Sequence, residues 1–514
     1  MAINEIEQEN RYLSLLILFG FIILKMIIQY QVIAPGYELH RDEFLHLDQA
    51  HHLAWGFLSI PPVTSWTSLL IYWLGNSVFW VKFFPALYGA LTIVLVWKIS
   101  EVLKGKLFAC ILGATACLLS SYLRINTLYQ PNSLDILCWT FLFYCLIQYI
   151  SSERNKWIYW FAVGFAIGFL NKYNIAFLVI ALIPALLLTK YRNIFTKKAT
   201  FSAALLALII ILPNLIWQIN NGLPVIKHMQ ELTDLQLVNI ERSAFLKEQL
   251  LFFAPSFFIL IIAFVGLISY KPFKDYRFVL YTYIFTIFFF LIFHGKPYYA
   301  LGLYPVLISF GAVYTAYLTE LKRTRLLRPV IFLVILGISI FYIPAICPVY
   351  SPERIQNDPE ILEMYRKTGQ LHWEDGKEHH IPQDYADMVG WKELTDITLS
   401  AWNSFNEKQR EKTLILCNEY GHAGAINYYS NRLLDAASIS ADYRDWFPGK
   451  EKIIDNIIMV IGNIPDNAHL YFDDIYKFGD IKNPLSREYG TSVFILKNAH
   501  EPMNGQSLKE LLLN

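Results

Sequence analysis

A chain that stays apolar for about twenty residues at a time, again and again, has few structural choices. Inside lipid every backbone N–H and C=O must be paired within its own segment, so such runs become helices. In these 514 residues apolar segments recur at about 13–30, 78–100, 107–121, 134–150, 157–170, 173–189, 200–217, 249–269, 278–293, 299–317 and 329–347. They predict an α-helical polytopic membrane domain with about 11 transmembrane helices. The segments 157–170 and 173–189 are short enough to form a tight, partly buried hairpin. Hydrophobic residues make up 55% of the chain and charged residues 17%. That is too oily for a soluble protein and too charged for spans alone, so a water-exposed part is expected as well. No small-residue cleavage site follows the first run, which is therefore expected to be an uncleaved span.

Lysines and arginines orient the spans. Lys104/Lys106, Arg154/Lys156, Lys190/Arg192/Lys197/Lys198, Lys271/Lys274/Arg277 and Lys322/Arg323/Arg325/Arg328 fall on alternate loops. Positive loops stay on the cytoplasmic side. The N-terminus is then cytoplasmic, and the expected location is the inner (cytoplasmic) membrane. Beyond Pro348 the composition turns polar, and alternating stretches such as TLILCNEY and KIIDNIIMVIGN are separated by helical ones. Residues 349–514 read as an extracytoplasmic α/β domain, and 1–348 as the membrane domain with a first outer loop at 31–77. A net charge of +1, with basic residues scattered among loops, gives no reason to expect nucleic acid. The six cysteines have no metal-type spacing. P-loop, GxSxG and dinucleotide-type motifs in proper context are absent.

Chemistry concentrates between Tyr37 and Trp66. Asp42 and Glu43 stand together, followed by His46, Asp48, Gln49, His51 and His52. Phe44, Leu47, Ala54 and Leu58 recur at roughly helical spacing, which predicts an amphipathic helix over 42–57 at the membrane surface. Ionisable groups near lipid are costly and are functional candidates by default. Asp42 is the first candidate, with helix capping the alternative; Glu43 is the second. Asp135, at the outer start of an apolar run, is either a site acid or a structural partner of Arg124 or Lys172. Lys82, Arg124, Lys172, Arg242 and Lys296 gather on the outer side against positive-inside pressure, which suggests a bound anion, most simply phosphate. Asp48 and His52, at i and i+4, would suit two metal ligands, but no third is evident, and no cofactor is expected. Gly421 and Gly424 read as a strand-to-helix turn.

Taken in order, RDEFLHLDQAHHLAWGFLSIPPVTSW, YQPNSLDILCW, NKYNIAFL, NNGLPVIKH with EQLLFFAPSFF, and HGKPYYALGLYPVLISFGAVY resemble family 39 glycosyltransferases. That family includes bacterial relatives of protein mannosyltransferases and of the lipid A aminoarabinose transferase. DMVGWKELTD, CNEYGHAGAINYY and Trp446-Phe447-Pro448-Gly449 extend the likeness into the tail. The resemblance implies a C-type glycosyltransferase fold and a polyprenyl-phosphate sugar donor, with a protein, lipid A or another glycan as acceptor. It assigns the family's first-loop acid to Asp42, with Glu43 adjacent, and its second outer acid to Asp135. Lys296, Tyr298 and Tyr299 match the loop near the donor phosphate, with Lys172, Arg242, His228 and Arg124 as further binding candidates. Some relatives carry a lysine directly before the Pro-Pro pair, where this chain has Ile60. The competing classes are a transporter or flippase of a lipid-linked sugar, and a non-catalytic scaffold that binds cell-wall glycans.

Overall fold

The computed structural model describes residues 2–235 and 241–513. Positions 236–240, within the expected 218–247 outer loop, lie outside the described residues. The chain forms two compact units. The first comprises Met1–Val32, Ile60–Thr64 and Phe79–Cys347, and the second Ile33–Ser59, Ser65–Val78 and Pro348–Asn514. Most of the expected first outer loop thus groups with the C-terminal residues rather than with the rest of 1–348.

In the first unit every expected apolar segment is helical, but the segments are not equal. Among the described residues six helices are long and apolar enough to cross a membrane alone, or seven if Arg242–Leu251 and Ala254–Ser269, bent by 64°, count as one broken span. The others are short: Leu107–Leu118, Lys156–Asn171, Ile175–Leu187 and Phe278–Ile292. Length and composition therefore support fewer single-helix spans than eleven. At 1.5 Å per residue, a helix of 12 residues reaches only ~18 Å, short of a ~30 Å hydrocarbon core. Close packing relies in places on missing side chains. A Cβ on Gly311 would lie 2.2 Å from the Ile259 carbonyl oxygen, so only glycine admits the approach of Phe257–Ser269 to Tyr304–Leu318.

The second unit is α/β, as its alternating stretches predict. Its strands are β1 (Thr413–Cys417), β2 (Ala436–Ser438), β3 (Ile453–Ile454), β4 (Asn456–Ile461), β5 (Phe472–Asp480), β6 (Ser492–Ala499) and β7 (Met503–Asn504). A five-stranded sheet has the order β2-β1-β4-β6-β5, and β3 pairs with β7. The β1 strand runs parallel to β2 and β4, while β6 is antiparallel to β4 and β5. All five residues of β1 are buried, the continuous apolar run of a strand covered on both faces.

Two sequence expectations need correction here. The helix expected over 42–57 is only Arg41–Asp48, followed by one 3₁₀ turn at Gln49–His51. It does not lie on a surface with one polar face, because Glu43 to Asp48 are all buried. The polar residues meet protein partners instead of water. Gly421 and Gly424 do not make a turn. They sit inside the helix Tyr420–Tyr429, where a Cβ on Gly424 would meet the Phe44 Cβ at 2.7 Å and one on Gly421 the Arg41 Cβ at 3.1 Å. Both glycines let the 420–429 helix press against the 41–48 helix.

Candidate active site

The 41–48 helix starts on a capping box. His40 is the N-cap and its ring accepts from the Asp42 N–H, while Glu43 Oε2 accepts from the His40 N–H at 2.8 Å. Glu43 is fully buried and faces its own helix N-terminus. Asp42 points elsewhere. The Tyr420 hydroxyl donates to Asp42 Oδ1 at 2.6 Å, and His40 Nδ1 and Arg41 Nε each lie 3.8 Å from its carboxylate. A third of the Asp42 side chain remains exposed. Burial pushes this carboxyl upward, but His40, Arg41 and the Tyr420 hydroxyl outweigh it, and its pKa falls below the ordinary aspartate value.

Behind Asp42 runs a chain of charges. Asp387, almost fully buried, faces Arg41 Nε at 3.7 Å, His40 Nε2 at 3.8 Å and Arg487 Nη1 at 3.0 Å. Burial raises the Asp387 pKa, against the pull of Arg41, His40 and Arg487. Tyr420, Asp387 and Arg487 were not among the sequence candidates. Tyr420 stood in a motif read for its glycines, and nothing in spacing links residues nearly 380 positions apart.

His40, Asp384 and Asp387 bring one ligand atom each within 4.8 Å of one another. The donor set is of a kind that takes divalent ions. Asp387, however, already answers two guanidinium groups, so a further cation there would meet repulsion. The i, i+4 pair Asp48 and His52 is engaged otherwise. Asp48 accepts from Arg432, Asn427 and Tyr443, and the His52 ring stacks on Trp446 at 4.2 Å.

The first unit holds its own polar cluster. Asp135 Oδ1 accepts from the Trp139 indole N–H and Oδ2 from the Asn174 amide, both at 3.0 Å. Lys172 Nζ donates to Asn132 Oδ1 at 2.7 Å and lies 5.1 Å and 4.6 Å from the ring centroids of Tyr298 and Tyr299. Its charge is felt by both Asp135 and Lys296. Asn174 Oδ1 is buried without a hydrogen-bond partner. Asp135, Lys172, Lys296, Tyr298 and Tyr299 are thus brought together, as an anion site would require. The remaining basic candidates have other partners in view. Lys82 donates to the Thr127 carbonyl and Arg124 to the Thr127 hydroxyl, both at 2.9 Å. Arg242 is exposed and donates to the Leu291 carbonyl at 3.2 Å. His228 stands half-buried on the helix Pro224–Leu235.

These features define a multi-pass membrane protein with a C-type glycosyltransferase fold. The structure of ArnT from Cupriavidus metallidurans bound to undecaprenyl phosphate aligns with a TM-score of 0.60 over 94% of this chain and 97% of that one, at 12% identity. The apo form aligns at 0.58 over 93% and 97%, also at 12% identity. In sequence, residues 59–217 match the family model described as dolichyl-phosphate-mannose-protein mannosyltransferase. Over 250 residues the chain is 24% identical to the lipid A galacturonosyltransferase RgtD of Rhizobium johnstonii, covering 48% of this chain and 50% of that protein. The match thus spans half the length of this curated relative. The likeness to family 39 glycosyltransferases expected from motif order is borne out by the family model and the curated relative, and the expected fold by the solved structures.

Proposed function

We propose that this protein is a glycosyltransferase that moves a sugar from a polyprenyl-phosphate donor to an acceptor hydroxyl at the outer face of the inner membrane. The N-terminus is cytoplasmic and the second unit extracytoplasmic, in keeping with the alternation of basic loops. The acceptor belongs to an envelope lipid, glycan or protein. One observation supports this reading above the others: Asp42 is a partly exposed carboxylate held ionised by Tyr420, His40 and Arg41.

In this mechanism the acceptor oxygen attacks the anomeric carbon while the bond from that carbon to the lipid phosphate breaks. The acceptor proton passes to Asp42, and the polyprenyl phosphate leaves as an anion. One displacement inverts the anomeric centre. A carboxylate as acidic as Asp42 is a weak base, so it takes the proton late, when the forming bond has made the hydroxyl acidic. The leaving phosphate is a stable anion and requires no protonating acid, unlike the leaving group in glycoside hydrolysis. Within the first unit, taken by itself, Lys172 and Lys296 offer positive charge for a lipid phosphate, with Tyr298 and Tyr299 beside them. Asp135 would act through Asn174 and Lys172 as a positioning residue.

The test is transfer of radiolabelled sugar from a polyprenyl-phosphate donor by the full chain in proteoliposomes carrying envelope extract. Wild-type transfer, lost in Asp42→Asn with folding retained, is expected. Lipid translocation without transfer would replace the reading with the flippase alternative.

A further inference from the structure

The 41–48 helix has a second working face. Asp48, like Phe44 and Leu47, projects away from Asp42, by about 120–160° around the helix axis at 100° per residue. There, within the second unit, lies a cavity of about 310 Å³. It is lined by Asp48, His51, Tyr72, Tyr428, Asn431 and Arg432, among others. A volume of that size is at the lower end of small-ligand sites, roughly 300–1,000 Å³.

Its chemistry selects a ligand class. Arg432 Nη1 donates to Asp48 Oδ1 at 2.6 Å, and Nη2 donates to Asp435 Oδ1 at 3.0 Å. The guanidinium is therefore matched by two carboxylates, and an anion would find no spare charge. Asp48 is matched in turn, also accepting from Asn427 at 2.7 Å and Tyr443 at 2.5 Å. A cation is disfavoured for the same reason. Aromatic surface is supplied by Tyr72, whose ring meets His51 edge-on at 4.8 Å, and by Tyr428, fixed through its hydroxyl to the Asn76 carbonyl at 2.8 Å. Asn431 and Arg432 adopt positive φ of 50° and 57°, conformations rare for side-chain-bearing residues, and so set this corner of the cavity. Balanced charges, amide and imidazole groups and flat rings suit a neutral, polyhydroxylated ring.

We infer that this cavity binds a neutral saccharide unit of the acceptor. Resting on the transferase reading, it makes the acceptor a glycan or glycolipid with sugars beyond the reacting one. Asp42 and Asp48 are about 9 Å apart along the helix axis, six residues at 1.5 Å each.

The experiment is saturation-transfer NMR on the full-length protein in lipid nanodiscs, with N-acetylglucosamine, galactose and mannose as probes. At least one probe should receive saturation from the wild type and equally from Asp42→Asn. Tyr72→Ala and Asn431→Ala, both at exposed positions, should reduce that signal at least five-fold. Circular dichroism and thermal unfolding verify that the variants fold. No signal with any probe, or a signal unchanged in both folded variants, overturns the inference. Because the readout is binding, it stands apart from any failure of sugar transfer.

Discussion

Two aspartates occupy very different surroundings in the two units. Asp135, in the helical unit, is closed in by an indole N–H and a side-chain amide and is almost completely buried. Asp42, in the α/β unit, leaves a third of its side chain open and is supported by a phenol, an imidazole and a guanidinium. A carboxylate that must meet an incoming hydroxyl needs an open oxygen and a stabilised charge, which describes Asp42. A carboxylate surrounded by fixed donors orients its neighbours, which describes Asp135. On the proposed reading, chemistry and positioning separate by environment, although both residues are the same acid.

The largest effect that would break this division is expected from Asp42→Asn. Sugar transfer should fall by ~10²–10⁴, the usual worth of general-base help. The unfolding temperature should fall only modestly, since the group is partly exposed. If Asp135→Asn lost as much transfer while remaining folded, the two roles would be reversed. Next comes Lys172→Met, expected to raise the donor KM by about ten-fold, or ~1.4 kcal/mol, with a smaller change in kcat. An unchanged KM would remove the lysine from donor binding. Asp135→Ala should cost ~1–3 kcal/mol of stability, because the Trp139 and Asn174 donors would be left buried and unpaired. Thermal unfolding in detergent measures this, and Asp135→Asn, which keeps an acceptor, should recover much of it.

Smaller effects sharpen the electrostatics. Tyr420→Phe removes a hydrogen bond to the ionised form of Asp42, so its pKa should rise toward the ordinary value. The acid limb of the pH–rate profile should then move upward, with only modest loss at neutral pH. The sign follows from linkage. A lowered native pKa gives stability that is complete above the ordinary aspartate value and lost as pH falls through the native one. Tyr420→Phe should therefore also narrow the acid side of the stability profile. An unmoved acid limb would separate the phenol from the base. Last, Glu43→Gln keeps the capping geometry and should cost ~1 kcal/mol or less of stability. A loss of transfer as large as that of Asp42→Asn would shift the base role to Glu43.

Much of the architecture was legible because lipid enforces a simple rule. Apolar runs must be helical, so all eleven segments could be read, but the rule does not say which helices reach across. The short ones, such as Leu107–Leu118, and the 64° bend between Arg242–Leu251 and Ala254–Ser269 are matters of packing. The strands β1 and β4 were visible in TLILCNEY and KIIDNIIMVIGN, since buried strands are unbroken apolar runs. Spacing alone predicts a helix over 42–57 with an exposed polar face, because periodicity carries no information about tertiary burial. The polar residues are in fact buried against partners such as Asn427, Arg432 and Asp442.

The sequence by itself determined that this chain enters a membrane and that an acid stands at residue 42, after its first apolar run, because hydropathy and charge are local properties. Only the tertiary structure decided what surrounds that acid. Tyr420 reaches it directly, and Asp387, itself paired with Arg487, holds the neighbouring Arg41 and His40, through a fold that brings together residues hundreds of positions apart, with Gly421 and Gly424 permitting the approach. The charge of Asp42 depends on those neighbours, and distance in the chain carries no record of distance in space.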